Sequence, residues 1–322
     1  MTLQTQLNTF IRENYTNIGG MVIQEKGRTR YENYFNDCTA DSTFHVFSVT
    51  KSIISILIGI AIDKGYIKST DQKILDFFPD YTVKKGEKTI QKIRLNDMMT
   101  MTAPYRYKTE PYTEFFTSDD WVKSALDYLG GEGRIGEFRY APLIGPDIFS
   151  GILIKATGLS VLDFANENLF SPLGIFVEGN VVFRNNEEQL AWYDKKKVSG
   201  WVAGRNGVNT AGWGLTLTAR DMAKIGQLYL NGGVSDGKQI VSTDWVKEST
   251  KGHSHWDKLA YGYLWWIIDE KEHSYAAMGD GGNMIYVNTE REIVISIASL
   301  FVPNAKDRIK LVKDYIEPML LQ

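Results

Sequence analysis

The chain has 322 residues, with 36 Lys and Arg against 39 Asp and Glu and a formal net charge of −3. Acids and bases are interspersed, which excludes the basic footprint of a nucleic-acid-binding protein and favours a small-molecule partner. Cys38 is the one cysteine, so the chain can form no intrachain disulfide and no thiolate cluster for zinc. The length suits one large domain or two intimate subdomains.

The start, Met-Thr-Leu-Gln-Thr-Gln-Leu-Asn-Thr-Phe, has neither a basic n-region nor an apolar h-region. The expectation is a cytoplasmic protein with no secretory signal and no membrane partner. Residues 3–15 place Leu3, Leu7, Phe10 and Ile11 on one face of an opening helix. Residues 21–24 and 30–35 read as two strands joined by a turn at Lys26-Gly27.

A helix over 53–62 follows, apolar on every side apart from Ser55 and Gly59, which suits burial all round and is too short to span a bilayer. Residues 71–81 give a short helix and turn, and 93–102 a further helix; 105–116, rich in Pro, Thr and Tyr, read as a loop. Helices are expected over 118–129, 147–156 and 160–169. Residues 184–210 are a long polar excursion without a clear period. A helix over 218–230 ends at Asn231-Gly232-Gly233, and another begins near Ser242.

From Tyr261 the pattern becomes strands, at 261–269, 273–278, 283–288 and 292–300, and 306–321 closes the chain as an amphipathic helix. Strands at both ends with helices between predict an α+β fold. One antiparallel sheet is built from the two termini and flanked by helices, with a mainly helical region inserted. The division expected is a sheet subdomain of 1–46 with 258–322 and a helical subdomain of 47–257.

Ser48 and Lys51 stand three apart at the mouth of the buried helix and so share one face of its first turn. A serine hydroxyl needs a neighbour that can take its proton. A lysine amine in an apolar setting, where its charged form is disfavoured, can be that base. The helix N-terminus adds backbone N–H groups suited to an oxyanion forming at Ser48. Other tempting features have plainer readings. Ser118-Asp119-Asp120 reads as a helix cap, and His253 and His255 lack a carboxylate cluster at zinc spacing. His45 reads as packing beside the nucleophile, and Arg205 and Asn206 as possible contacts to a polar group.

Four ordered stretches carry a resemblance. They are Phe47-Ser48-Val49-Thr50-Lys51-Ser52; Lys64-Gly65-Tyr66 through Pro79; Gly212-Trp213-Gly214-Leu215-Thr216-Leu217-Thr218-Ala219-Arg220-Asp221-Met222-Ala223-Lys224; and Tyr261-Gly262-Tyr263-Leu264-Trp265-Trp266. Together they resemble the serine β-lactamase and penicillin-binding-protein superfamily over nearly the whole chain. The likeness is to its class C-like branch of esterases, D-peptidases and 6-aminohexanoate-dimer hydrolases.

The resemblance implies a β-lactamase/DD-peptidase-like fold with Ser48, Lys51 and Tyr140 as catalytic residues. Tyr140 stands in the place of the tyrosine of the family's Tyr-x-Asn motif, with Pro142 where Asn is expected. In the third motif Ala277, Met278 and Gly279 replace Lys-Thr-Gly or His-x-Gly, so the basic residue is absent and poor binding of β-lactams is expected. The N–H groups of Ser48 and Asp280 would hold the oxyanion, with Gly279, Ala277, Pro142 and Asn283 beside the substrate.

The implied activity is that of a serine hydrolase forming an acyl-enzyme from a small ester, amide or D-amino-acid-containing peptide, with no cofactor and no metal. A true β-lactamase or DD-peptidase, and a noncatalytic ligand-binding protein on a degenerate hydrolase scaffold, are the alternatives.

Overall fold

A computed structural model of the chain describes residues 2–193 and 195–321. Its centre is an eight-stranded antiparallel sheet of β1 (Ile18–Glu25), β2 (Arg28–Tyr34), β3 (Ser254–Trp256), β4 (Leu259–Tyr261), β5 (Trp266–Asp269), β6 (Ser274–Gly279), β7 (Asn283–Asn288) and β8 (Ile293–Ser299), in the order β2-β1-β8-β7-β6-β5-β4-β3. The N-terminal hairpin joins the C-terminal strands where β1 runs antiparallel to β8, Met21 opposite Ile297 and Ile23 opposite Ile295. The α+β architecture expected from strands at both termini is therefore present, with its sheet reaching back to Ser254.

Alternate residues of these strands feed two separate cores, as the two-residue period of a strand requires. On one face Ile23, Tyr286, Ile295 and Ile297 meet Leu7 and Ile11 of α1 (Leu3–Asn14) and Leu311, Val312 and Ile316 of the C-terminal helical run. That run consists of Arg308–Lys310, a π-helical turn Leu311–Ile316 and Glu317–Leu320. On the other face Ile285, Val287 and Val294 meet α2 (Val49–Asp63) and a helix over Ala219–Leu230, which is started by the reciprocal cap of Thr218 and Asp221.

Every residue of α2 from Val49 to Ala61 is buried. Each of its isoleucines contributes about 1.5–3 kcal/mol on burial, against about 1 kcal/mol for a mid-helix glycine. Gly59 is needed there for close approach, since a Cβ on it would lie 2.4 Å from the Trp245 ring. The helical region packs on the outer side of α2, chiefly through Asp147–Thr157.

Three local expectations are corrected. Residues 261–269 are not one strand: the Gly262 N–H donates to the Trp265 carbonyl at 2.8 Å and Leu264 takes φ 62°, so the chain turns between β4 and β5. The stretch 105–116 is not wholly a loop, because Tyr112–Thr117 is helical. The excursion 184–210 carries a helix over Asn186–Tyr193 and a short strand, Trp201–Val202, pairing in parallel with Asn180–Val181. Among the described residues no single helix is long and apolar enough to cross a membrane.

Candidate active site

Ser48 caps the N-terminus of α2, where the chain arrives from a short strand, Thr43–His45, paired with Thr216–Thr218. The bend that turns the chain into the helix is made at Phe47, whose φ of 48° is left-handed. For a residue with a Cβ this costs about 1–2 kcal/mol. The ring of Phe47 is wedged between those of His45 (4.0 Å), Phe301 (5.1 Å) and Tyr193 (5.4 Å), a packing that holds the strained turn in place.

One turn into the helix, Lys51 is 2% exposed, and its Nζ has three partners. It lies 2.8 Å from Ser48 Oγ, 2.6 Å from the Pro142 carbonyl and 2.9 Å from the Gly212 carbonyl. Carbonyls can only accept. Two tetrahedral positions of the nitrogen are therefore committed as N–H donors, and the third points at Ser48. In the neutral amine that third position is the lone pair, placed to take the hydroxyl proton.

The ring of Tyr140 lies beside this pair, with Lys51 Nζ 5.3 Å from its centroid. It is backed by Trp266 at 5.7 Å and Tyr261 at 6.4 Å. Its loop is tied down by the Arg139 N–H to the Met101 carbonyl at 2.6 Å and by the Arg139 guanidinium to the carbonyls of Tyr105 and Tyr107. The Tyr140 hydroxyl makes no hydrogen bond to a described residue, whereas Ser48 and Lys51 touch directly.

The other candidates separate into two groups. Gly279 ends β6 directly against the nucleophile: a Cβ there would lie 2.2 Å from the Val46 carbonyl and 3.1 Å from Ser48 N. Among the described residues neither the Ser48 nor the Asp280 N–H has a hydrogen-bond acceptor, so both are available to a ligand oxygen. Pro142 contributes its main-chain carbonyl to Lys51, a role the ring does not prevent. Ala277, two residues before Gly279 on β6, is fully buried and brings no polar group to the site. Asn283 is 1% exposed and acts as a bracket, its Nδ2 donating to the Asp280 carbonyl (2.8 Å) and the His45 carbonyl (3.3 Å), its Oδ1 accepting from Ser299 N (2.9 Å).

His45 lies beneath the nucleophile among Phe47, Trp192, Tyr193 and Trp213. Its Nε2 accepts from the Gly214 N–H at 3.0 Å, which assigns the proton to Nδ1. Burial pushes the imidazole down to about 3. The unfolded chain therefore takes up this proton first as pH falls, and stability is lost between about pH 6.5 and 3. Thermal melts of the wild type and of His45→Gln over that range should diverge on acidification, the wild type falling further. Parallel curves would contradict the assignment.

Glu110 and Asp147 are acids the sequence did not single out. Glu110 lies in a stretch rich in Pro, Thr and Tyr without a periodic signal, and Asp147 is simply the first residue of the helix expected over 147–156. Both are buried, at 7% and 1% exposure, and stand behind the carbonyls that hold Lys51.

Known proteins of similar sequence or fold share this frame. The chain is 23% identical over 281 residues to the 6-aminohexanoate-dimer hydrolase of Paenarthrobacter ureafaciens, an alignment covering 79% of this chain and 65% of that protein. The chain thus spans less than two thirds of that relative's length. Among solved structures, a putative 6-aminohexanoate-dimer hydrolase from Bacillus anthracis superposes with a TM-score of 0.76 at 18% identity, over 97% of this chain and 81% of the other. A family VIII carboxylesterase superposes with a TM-score of 0.70 at 14% identity, over 95% and 93%. The family model described as Beta-lactamase matches residues 8–313, nearly the whole chain, which therefore belongs to the β-lactamase family.

Proposed function

We propose that the protein is a serine hydrolase that forms an acyl-enzyme at Ser48 from a small ester, amide or D-amino-acid-containing peptide. The observation that carries this reading is the triple coordination of Lys51, which leaves one position of the amine for the Ser48 hydroxyl at 2.8 Å. Lys51 takes the proton as Ser48 Oγ bonds to the carbonyl carbon, and the N–H groups of Ser48 and Asp280 receive the developing oxyanion.

The bond to the leaving group then breaks, and the proton passes from Lys51 to the departing oxygen or nitrogen, with the Tyr140 phenol at the mouth as relay. Water attacks the acyl carbon in the second half and releases the acid, Ser48 recovering its proton. Proton transfer and charge stabilisation both come from protein groups. A small amide or ester agrees with the names of the hydrolase and carboxylesterase neighbours. The strand Ser274–Gly279 carries no basic side chain to hold a β-lactam carboxylate.

The test is a fluorophosphonate probe read by intact mass and peptide mapping. Attack on phosphorus forms the Ser48 Oγ–P bond, expels fluoride and leaves the proton on Lys51. One adduct, mapped to Ser48, is expected. Absence of an adduct, with a thermal shift on ligand addition, would replace the enzyme by a binding protein.

A further inference from the structure

The carbonyls that hold Lys51 are themselves held from behind by two buried acids. Glu110 accepts through Oε1 and Oε2 from the Leu143 N–H at 3.3 and 3.1 Å, and through Oε1 from the Ile144 N–H and the Tyr107 hydroxyl, each at 3.1 Å. The Leu143 N–H and the Pro142 carbonyl are opposite ends of one peptide group. A carboxylate thus sits at the positive end of the dipole whose negative end takes the Lys51 amine at 2.6 Å. Asp147 ties down the other loop through a neighbouring peptide group, its Oδ1 accepting from the Ala211 N–H at 2.8 Å, one residue before Gly212, whose carbonyl is the second acceptor. The two loops are in contact, since a Cβ on Gly212 would lie 2.9 Å from the Pro142 carbonyl oxygen.

We propose that Glu110 and Asp147 are positioning residues for Lys51, fixing the loops that carry the Pro142 and Gly212 carbonyls, and in the case of Glu110 polarising the Pro142 carbonyl, so that the third position of the amine stays on Ser48. The inference rests on the reading of Lys51 as the base. Burial of a carboxyl is costly unless it is hydrogen-bonded, and neither acid forms an ion pair with a Lys, Arg or His among the described residues. What both acids share is a backbone N–H on a loop that supplies a carbonyl to the same nitrogen.

Several charged and titratable groups face the pair. Lys51 and each other face both acids; Tyr105, Tyr107 and Tyr112 surround Glu110, with the Arg139 guanidinium over the rings of Tyr105 and Tyr107. Burial raises both acids, Asp147 to about 7. The acidic limb of the activity profile therefore belongs to the cluster rather than to one residue.

The experiment compares Glu110→Gln, Asp147→Asn and wild type, using a short-chain p-nitrophenyl ester and the fluorophosphonate probe across the pH range, with melting temperature as a check on folding. Each substitution removes from the cluster a carboxyl whose titration burial has raised. The expected result is a kcat lower by about 10- to 100-fold at a nearly constant KM, slower labelling, and an acidic limb moved to lower pH. Should Glu110→Gln fail to fold, Tyr107→Phe takes its place with the limb expected to move to higher pH, because losing that phenol leaves the carboxylate less able to ionise.

A uniform loss at every pH with the limb in place would reduce the acids to structural fillers and overturn the proposal, as would labelling at the wild-type rate. Either result leaves the hydrolase reading standing if the wild type labels at Ser48. An unlabelled wild type overturns both.

Discussion

Substitution of Ser48 by alanine is expected to lower turnover of a short-chain ester by ~10⁴-fold or more, and Lys51→Met to lower it by a comparable factor. The double variant should be no worse than Ser48→Ala alone. Groups that act as one device are not additive: once the hydroxyl is gone, the amine 2.8 Å from it has no proton to accept. Independent contributions would instead multiply.

The two single variants should separate in stability. Ser48→Ala leaves the three-acceptor arrangement around Lys51 one partner short but its carbonyls paired. Lys51→Met keeps the bulk of the stem in a site 2% exposed and strips the donors from the Pro142 and Gly212 carbonyls. Each unpaired buried carbonyl costs about 1–3 kcal/mol, so Lys51→Met should melt several degrees lower while Ser48→Ala melts close to the wild type. Full ester turnover in Ser48→Ala would show that the observed chemistry lies elsewhere. A double variant far below either single variant would show that serine and lysine are not one unit.

The frame of the fold was legible because it rests on long periodic signals. The apolar-rich run at 53–62, the apolar strand runs at 283–288 and 292–300 and the capped helix at 218–230 each point to one element. The β4–β5 turn was not legible, because it depends on a leucine, not a glycine, adopting φ 62° at Leu264, in a stretch that otherwise reads as one continuous strand.

At the site, Ser48 and Lys51 could be found from spacing, since both lie on one helical turn. Pro142 was misleading in the opposite sense: its side chain cannot stand in for an amide, yet its carbonyl oxygen is what meets Lys51. Main-chain acceptors leave no mark in a sequence. The same holds for Glu110 and Asp147, which act on backbone N–H groups and are placed by loops distant in the chain. Ala277 was placed near the substrate as the first position of the third motif; it shares a face of β6 with Gly279 but is buried two residues further in, and the bonds of Asn283 across the Asp280 turn make it a structural tie.

The second large effect is expected from the smallest change, Gly279→Ala, which should lower kcat by ~10²- to 10³-fold, the range for loss of an oxyanion donor. The backbone at Gly279 is extended, so the new methyl group is tolerated by its own φ and ψ; the obstacle is what stands opposite. Its Cβ would lie 2.2 Å from the Val46 carbonyl oxygen, which is already engaged by the Val49 N–H at 3.2 Å where α2 begins.

Sliding cannot relieve the overlap. Gly279 is paired with Asn283, and the Asn283 side chain binds both the His45 and the Asp280 carbonyls. The end of β6 must therefore move away from Ser48, carrying the Asp280 N–H out of reach of any oxygen that Ser48 N also binds. Fluorophosphonate labelling should slow in step with kcat, because its transition state needs the same donors, while KM for a short ester changes little. Gly179→Ala serves as the control, since no atom lies within 4 Å of a Cβ built there. Wild-type labelling and turnover in a folded Gly279→Ala variant would mean that the strand end is not the wall of the oxyanion site, and the reacting carbonyl would have to bind on the other side of Ser48.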